Sequence, residues 1–425
     1  MNKIIITLIV ATACIVSGPT LAAYKHKHVK AKEKIVYVKT SKVQTIIDQN
    51  SAQSKAHKCN WMNRITIGGL ANFDASLGSR TPIGTFGLTS DKASSDINVN
   101  NANLLIDAKI NYWLKGHINL AYLGDQDKGT TVPWDKSHVK FGISYLSIDE
   151  AYVDISRFSR MPFYGRIGKQ YVGFGDYQRY PIIKPITQLL TQTRATAATA
   201  GIVTDMGIYG NVSVFNGNTD KLDSINRNID NATAKIGYFG LVHKVGPNDL
   251  HYNVDLSLIA NMYDIDSISP FYGFNVLPPY DREFPYYQNK VFGLALHGDL
   301  NYGPFLLWAN YVQSLKKMQY FDTWLIDIVD TSRIWAADIN AGYRFQTLGR
   351  ESKVDASYQL TGGFDQYAFI MPNLQLPKHR FQLSYNIDAW KYANLGIAWA
   401  HDINYDDVGL NQNSDQIVGR LSVQF

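Results

Sequence analysis

From about residue 64 to the C-terminus, apolar and polar positions alternate with a period of two. In "NANLLIDAKINYW", Ala102, Leu104, Ile106, Ala108, Ile110 and Tyr112 fall on one side, while Asn103, Asp107, Lys109 and Asn111 fall on the other. "LHYNVDLSLIA" sets Leu250, Tyr252, Val254, Leu256 and Leu258 against His251, Asn253, Asp255 and Ser257. "RIWAADINAGYRF" sets Trp335, Ala337, Ile339, Ala341, Tyr343 and Phe345 against Asp338, Asn340 and Arg344. Alternation of this kind over eight or more residues describes half-buried strands, because side chains of an extended chain point to opposite faces in turn. Sixteen such segments are predicted, at 64–75, 99–112, 117–123, 143–155, 163–171, 197–204, 208–216, 230–242, 250–259, 290–300, 305–314, 333–345, 353–361, 380–388, 392–401 and 415–425.

A soluble sandwich also alternates. Three features favour a transmembrane antiparallel barrel instead. Many segments approach the 9–11 residues that a tilted membrane strand needs. Aromatic residues gather near segment ends, as at Tyr112 and Trp113, Phe163, Trp390 and Tyr392, and Phe425, which is where barrels place interfacial girdles. The connections also alternate short and long. Short ones are "LKGH", "SRMP", "TDMG", "VGPND", "NYGP", "QTLGRES" and "AWKY", and the long ones span 76–98, 124–142, 172–196, 217–229, 260–289, 315–332, 362–379 and 402–414. Short periplasmic turns and long outer loops are the habit of outer-membrane barrels. The last segment, "SDQIVGRLSVQF", must then pair with "RITIGGLANFDA", since an open sheet edge leaves backbone groups that lipid cannot satisfy.

The chain starts differently. Lys3, an apolar run from Ile4 to Val16 and small residues to Ala23 read as a cleaved secretory signal, residues 1–23. Residues 24–60 carry nine lysines against Glu33 and Asp48 and read as a short basic periplasmic extension with a weak helical or coiled-coil pattern. The barrel is assigned to residues 61–425. The overall charge of +5 therefore belongs to the extension, and the barrel itself is slightly acidic. Beyond the signal only Cys59 remains, so an intramolecular disulfide is excluded. His26 and His28 make a poor metal pair among lysines. With ten histidines in all and no G-x-S-x-G, H-E-x-x-H or phosphate-cradling loop, neither an enzyme nor a cofactor site is expected, and no nucleic-acid partner is implied.

Sixteen strands leave room for an aqueous channel. Inward positions read polar: Asp107, Lys109, Lys235, Asp255, Asp338, Arg344, Lys353, Asp355, Arg380 and Arg420. The connection "YVGFGDYQRYPIIKPITQLLTQTRATAA" is stiffened by Pro181 and Pro185 and is too apolar for a loop in water. Folded inward, it would narrow the pore and bring Arg179, Lys184 and Arg194 near Arg166, with Lys169 a weaker member because of its opposite strand parity. A basic ring favours anions. Packing outward on a neighbouring loop or protomer is the alternative. The loop 260–289 holds Tyr263, Phe271, Tyr272, Tyr280, Arg282, Tyr286 and Tyr287. It reads either as a docking surface for a flat ligand or as a self-packed lid.

The block "SIDEAYVDISRFSRMPFYGRIGKQYVGFGDYQRYPIIKPITQLLTQTRATAATAGI" resembles the central part of the LbtU family of siderophore porins, and the signal, basic extension and terminal Phe agree with that resemblance. It implies an outer-membrane channel for ferric siderophore lacking the plug domain of TonB-dependent receptors. The partners expected are the lipid bilayer, the outer-membrane assembly machinery and a ferric siderophore or other anionic solute, with a homotrimer as one open assembly state. Two other readings stand beside it: a general or anion-selective porin, and a surface adhesin anchored by the barrel.

Overall fold

The structure is a computed structural model. It describes residues 64–79, 81–83, 88–90, 93–123, 145–177, 181–221, 228–240, 243–245, 248–268, 286–322, 327–330, 332–364, 376–405 and 413–425. The signal, the basic extension and Cys59 lie outside the described residues.

Sixteen antiparallel strands close on themselves. In chain order they are β1 (Ile65–Gly78), β2 (Ser94–Lys109), β3 (Leu114–Leu123), β4 (Tyr145–Ser156), β5 (Phe163–Tyr171), β6 (Arg194–Val203), β7 (Ile208–Phe215) and β8 (Asn231–Phe239). The second half comprises β9 (Asn248–Ile259), β10 (Gly293–Tyr302), β11 (Phe305–Ser314), β12 (Trp335–Thr347), β13 (Arg350–Gly362), β14 (His379–Trp390), β15 (Ala393–Ile403) and β16 (Ser414–Gln424). Each pairs with its sequence neighbours, and β1 closes on β16 from Leu70↔Gln424 to Gly78↔Gln416. The short segment His243–Val245 extends the lane of β8 along β9. All sixteen expected strands are present, in the expected order.

The two faces sort as the alternation predicts. Ile67, Ile97, Ile167, Val212, Val254 and Ile397 are exposed on the outside, whereas Asn72, Asn119, Asn253, Asp255 and Gln359 are buried inside. An exposed apolar belt around a polar interior is the inverse of a water-soluble protein. Exposed aromatics collect at the turn end of the barrel: Tyr112, Phe163, Phe305, Tyr343, Trp390, Tyr392 and Phe425. Phe305 and Tyr343 meet across a strand pair at 5.1 Å between ring centres. Phe425, 72 % exposed, completes this ring, and its backbone is tied to β1 by bonds between Gly69 N and Phe425 O (2.8 Å) and between Phe425 N and Gly69 O (3.1 Å). The terminal strand is therefore paired to its last residue.

The turns are tight. The β12–β13 hairpin has a two-residue loop, Leu348 and Gly349, with φ of 52° and 74°. Positive φ at both positions matches the twist of adjacent strands. One turn differs from expectation. The β2–β3 reversal lies at residues 110–113 instead of at "LKGH", because Asn111 Oδ1 accepts bonds from the backbone N–H of Trp113 (2.7 Å) and Leu114 (2.9 Å). That local side-chain-to-backbone bonding competes with the ladder and ends β2 early. Lys115 consequently belongs to the β3 wall, beside His117.

Candidate functional site

The connection from β5 to β6 lies inside the barrel. Its sequence explains this: Ile183, Ile186 and Leu190 are almost completely buried, and burying each of these side chains stabilises by about 1.5–3 kcal/mol. Pro185 leads into a one-turn helix, α1 (Ile186–Leu189). Ile186 and Leu190 join a core inside the loop end of the barrel with Phe174, Met262, Ile265, Ile268, Met318, Ile334 and Phe364.

Polar anchors fix the connection along the wall from β8 round to β16. At its start, Gly175 N–H donates to Ser257 Oγ (2.8 Å). The ammonium of Lys235 lies 3.3 Å from Asp176 Oδ2 and 3.1 Å from Asp255 Oδ2, and donates to the Gly175 carbonyl at 3.1 Å. Further on, Ile186 N–H donates to Gln359 Oε1 (2.9 Å), and the Thr187 hydroxyl donates to Asp338. Arg380 grips Asp402 with two nitrogens (2.7 and 2.8 Å) and gives a third bond to the Lys184 carbonyl at 3.2 Å. Arg420 does the same with Asp74 (2.6 Å for each bond) and the Pro181 carbonyl (2.8 Å). Ile182 and Ile183 pack on Ala398, Ala400 and Val418, and a Cβ at Gly396 would collide with Ile182. A bidentate arginine–carboxylate pair has a fixed fork geometry, so each guanidinium holds its remaining N–H at a defined angle toward a loop carbonyl.

The wall from β1 to β5 carries a different pattern, in which polar groups bond to one another along the sheet. Asn72 donates to Asn101 (2.7 Å), Asn101 to Asn103 (2.8 Å), Asn103 to Asn119 (3.2 Å) and Asn119 to Asp149 (3.0 Å). Nearer the turn rim, His117 lies 2.7 Å from Asp107, and Arg166 pairs with Asp154 at 2.5 Å while stacking over Tyr152 at 4.0 Å.

The residues expected at the constriction distribute as follows. Arg166 is on the inner wall, but its charge is compensated by Asp154. Arg194 pairs with Asp149 at 2.5 Å, the carboxylate that also accepts from Asn119 on the inner wall. Lys169 is half-buried and has the parity of exposed Ile167. Lys184 sits on the inserted loop, half-buried. Arg179 lies outside the described residues. Arg166 and Arg194 each have a carboxylate in contact, which no single-strand pattern discloses. On the wall, Asp107 is bonded to His117, Asp338 is an anchor of the loop, Lys109 is half-buried, and Arg344 is exposed near the turn end.

Within the loop 260–289, Tyr263 and Tyr287 are buried and stacked on each other at 5.6 Å. For these two the structure has the self-packed arrangement. Phe271, Tyr272, Tyr280, Arg282 and the side chain of Tyr286 lie outside the described residues. The segment 260–268 is bound to the inserted loop: Asp266 N–H donates to the Gln192 carbonyl at 3.0 Å, and Asp266 accepts from Arg194 N–H at 2.8 Å. Asp264 accepts from Thr219, Asn231 and Asn261. Burial pushes the carboxyls of Asp264 and Asp266 up to about 6.

Among the described residues, Asp176, Asp255 and His297 are close enough to share a cation. Lys235 already sits against both carboxylates, and both His297 nitrogens face partners, Asn310 at 2.6 Å and Asp299 at 3.2 Å. The ammonium supplies the positive charge a metal would bring.

No family model matches this chain. A UPF0422 protein of Coxiella burnetii is 27 % identical over 336 residues, covering 77 % of this chain and 64 % of the relative. A UPF0422 protein of Legionella pneumophila is 24 % identical over 348 residues, covering 79 % and 59 %. The chain thus spans about three fifths of the length of the curated relatives it matches. Among solved structures it is similar to the outer-membrane channel DcaP of Acinetobacter baumannii (TM-score 0.51, 12 % identity, 85 % of this chain and 97 % of the other). It is also similar to an anion-selective porin of Comamonas acidovorans (0.52, 10 %, 85 % and 99 %) and to Pseudomonas putida OprB (0.53, 7 %, 86 % and 95 %). These likenesses establish the porin barrel fold.

Proposed function

We propose that this protein is an outer-membrane channel in which the β5–β6 connection narrows the lumen, and that it admits ferric siderophore without a TonB-type plug. The observation that carries the channel reading is the inserted loop itself, held against the inner wall by Arg380, Arg420, Lys235 and Gln359. A barrel serving only as an anchor has no need of a loop fastened at so many points inside it. In this reading the aromatic turn rim faces the periplasm, the basic N-terminal extension lies there too, and the long loops face outward. The siderophore assignment rests on the sequence block from Ser147 to Ile202 that resembles the LbtU family. The chemistry is compatible, since carboxylate-type ferric chelates are anionic and lysines and arginines line the wall.

The test is uptake of radiolabelled ferric siderophore by a deletion strain with and without the restored gene. Restored uptake is expected. Unchanged uptake with ion conductance intact would remove the siderophore and leave the second reading, an anion-selective porin, which the cations at the turn end of the β1–β5 wall favour.

A further inference from the structure

The wall of β1–β5 ends at the turn rim in a row of cations that the anchoring of the loop does not use. Register places Lys109 directly opposite Lys115, and Lys115 directly opposite Asp154, which in turn faces Arg166. Arg64 precedes β1, whose first residue pairs with Ala108, so it continues the row beside Lys109. Asp154 is the one acid in this row, and it is engaged with Arg166 through two bonds, 2.5 and 3.2 Å. Asp107, the next acid, is engaged with His117.

Lys115 is left over. It is 6 % exposed, and its Nζ has no hydrogen-bond partner. Its register parity is that of Asn119 and Ala121, so it points to the interior. A buried ammonium without a partner is costly, and two like charges directly opposite on neighbouring strands are destabilising. The Asn111 bonds that set the turn also hold the two lysine-bearing strand ends in fixed register. The arrangement is a preorganised pair of donors lacking an acceptor.

We propose that Lys109 and Lys115, with Arg64 at the margin, form a binding site for a small oxyanion at the turn rim of the channel. The proposal rests on the channel reading only for its role, as the last station of an anion before release. The binding itself does not depend on conduction. An oxyanion between the two ammonium groups accepts charge-assisted hydrogen bonds from both and relieves their repulsion.

Two measurements decide it, with inorganic phosphate as the probe. The first is calorimetric titration of the full chain in detergent at low ionic strength. Wild type is expected to bind phosphate, Lys115→Gln to bind it about tenfold more weakly, equivalent to about 1.4 kcal/mol, and Lys109→Gln to be weakened several-fold. Lys109 is less buried, so this variant serves if Lys115→Gln fails to fold, folding being judged by heat-shifted gel mobility. Equal affinity in wild type and in the folded variants, or no binding by wild type, overturns the site. The second is phosphate block of current across planar bilayers. Block from the turn-rim side that Lys115→Gln relieves supports the site, and block unaffected by the substitution overturns it. Absence of any current is a failure of the channel reading alone, and the calorimetry still decides the site.

Discussion

Two stretches of the inner wall solve the same problem in opposite ways. Both line a barrel with buried polar groups that need partners. From β8 to β16 those groups reach across to the inserted connection: Lys235 to Asp176, Asp338 to Thr187, Gln359 to Ile186, Arg380 to Lys184 and Arg420 to Pro181. From β1 to β5 they bond along the sheet, asparagine to asparagine and Arg166 to Asp154, leaving Lys115 over. The first wall holds a loop still. The second is bonded within itself. Loop anchoring and bonding along the sheet thus fall to different strands of one barrel.

The comparison breaks most visibly at Lys235. Lys235→Met leaves Asp176 and Asp255 buried without their cation, and breaking a buried pair in this way costs about 3–5 kcal/mol. Lowered unfolding temperature in detergent, read from the loss of heat-shifted gel mobility, is the expected result. Arg420→Gln likewise leaves the buried carboxylate of Asp74 without its cation, and a loss of the same order is expected. Its sharper signature is functional, with the loop freed at one end and single-channel current becoming noisy. Arg166→Gln, on the other wall, should leave current noise unchanged. Thr187→Val removes a single hydroxyl bond to Asp338, worth about 1 kcal/mol, and should act in the same direction as Arg420→Gln but more weakly.

The last effect concerns pH. Asp264 and Asp266 have carboxyls raised to about 6 by burial, above the usual unfolded value of about 3.9. The folded segment therefore binds protons more readily than the unfolded one between those values. Its stability rises as pH falls from 7 toward 4, and is lowest once both groups are ionised. Slower proteolysis of the segment 260–268 at pH 5 than at pH 7 is the expected outcome.

The barrel was legible because its signal is local and repeated. Each strand states its two faces through alternation, as in "LHYNVDLSLIA", and closure follows from the membrane's intolerance of an open edge. The inserted loop was legible for a related reason: "PIIKPITQLL" is apolar where a solvated loop would be polar. The partners were not. Arg166 reads as an available cation until Asp154 is placed across the ladder from it, and that depends on register between strands. Arg194 reads the same way until Asp149 is placed against it. Lys115 is hidden in the sequence because "LKGH" reads as the turn. Asn111 sets the turn earlier by capping it, and Leu114, Lys115 and Gly116 pass from loop to wall.

The central claim is that the β5–β6 connection narrows an open channel. The most direct test is single-channel conductance in planar bilayers, comparing the full chain with a variant in which residues 181–191 are replaced by a short Gly-Ser linker. Discrete conductance steps for the wild type, and steps several-fold larger for the variant, are the predicted result. A wild type that passes no current, or a variant whose steps are the same size, would contradict it.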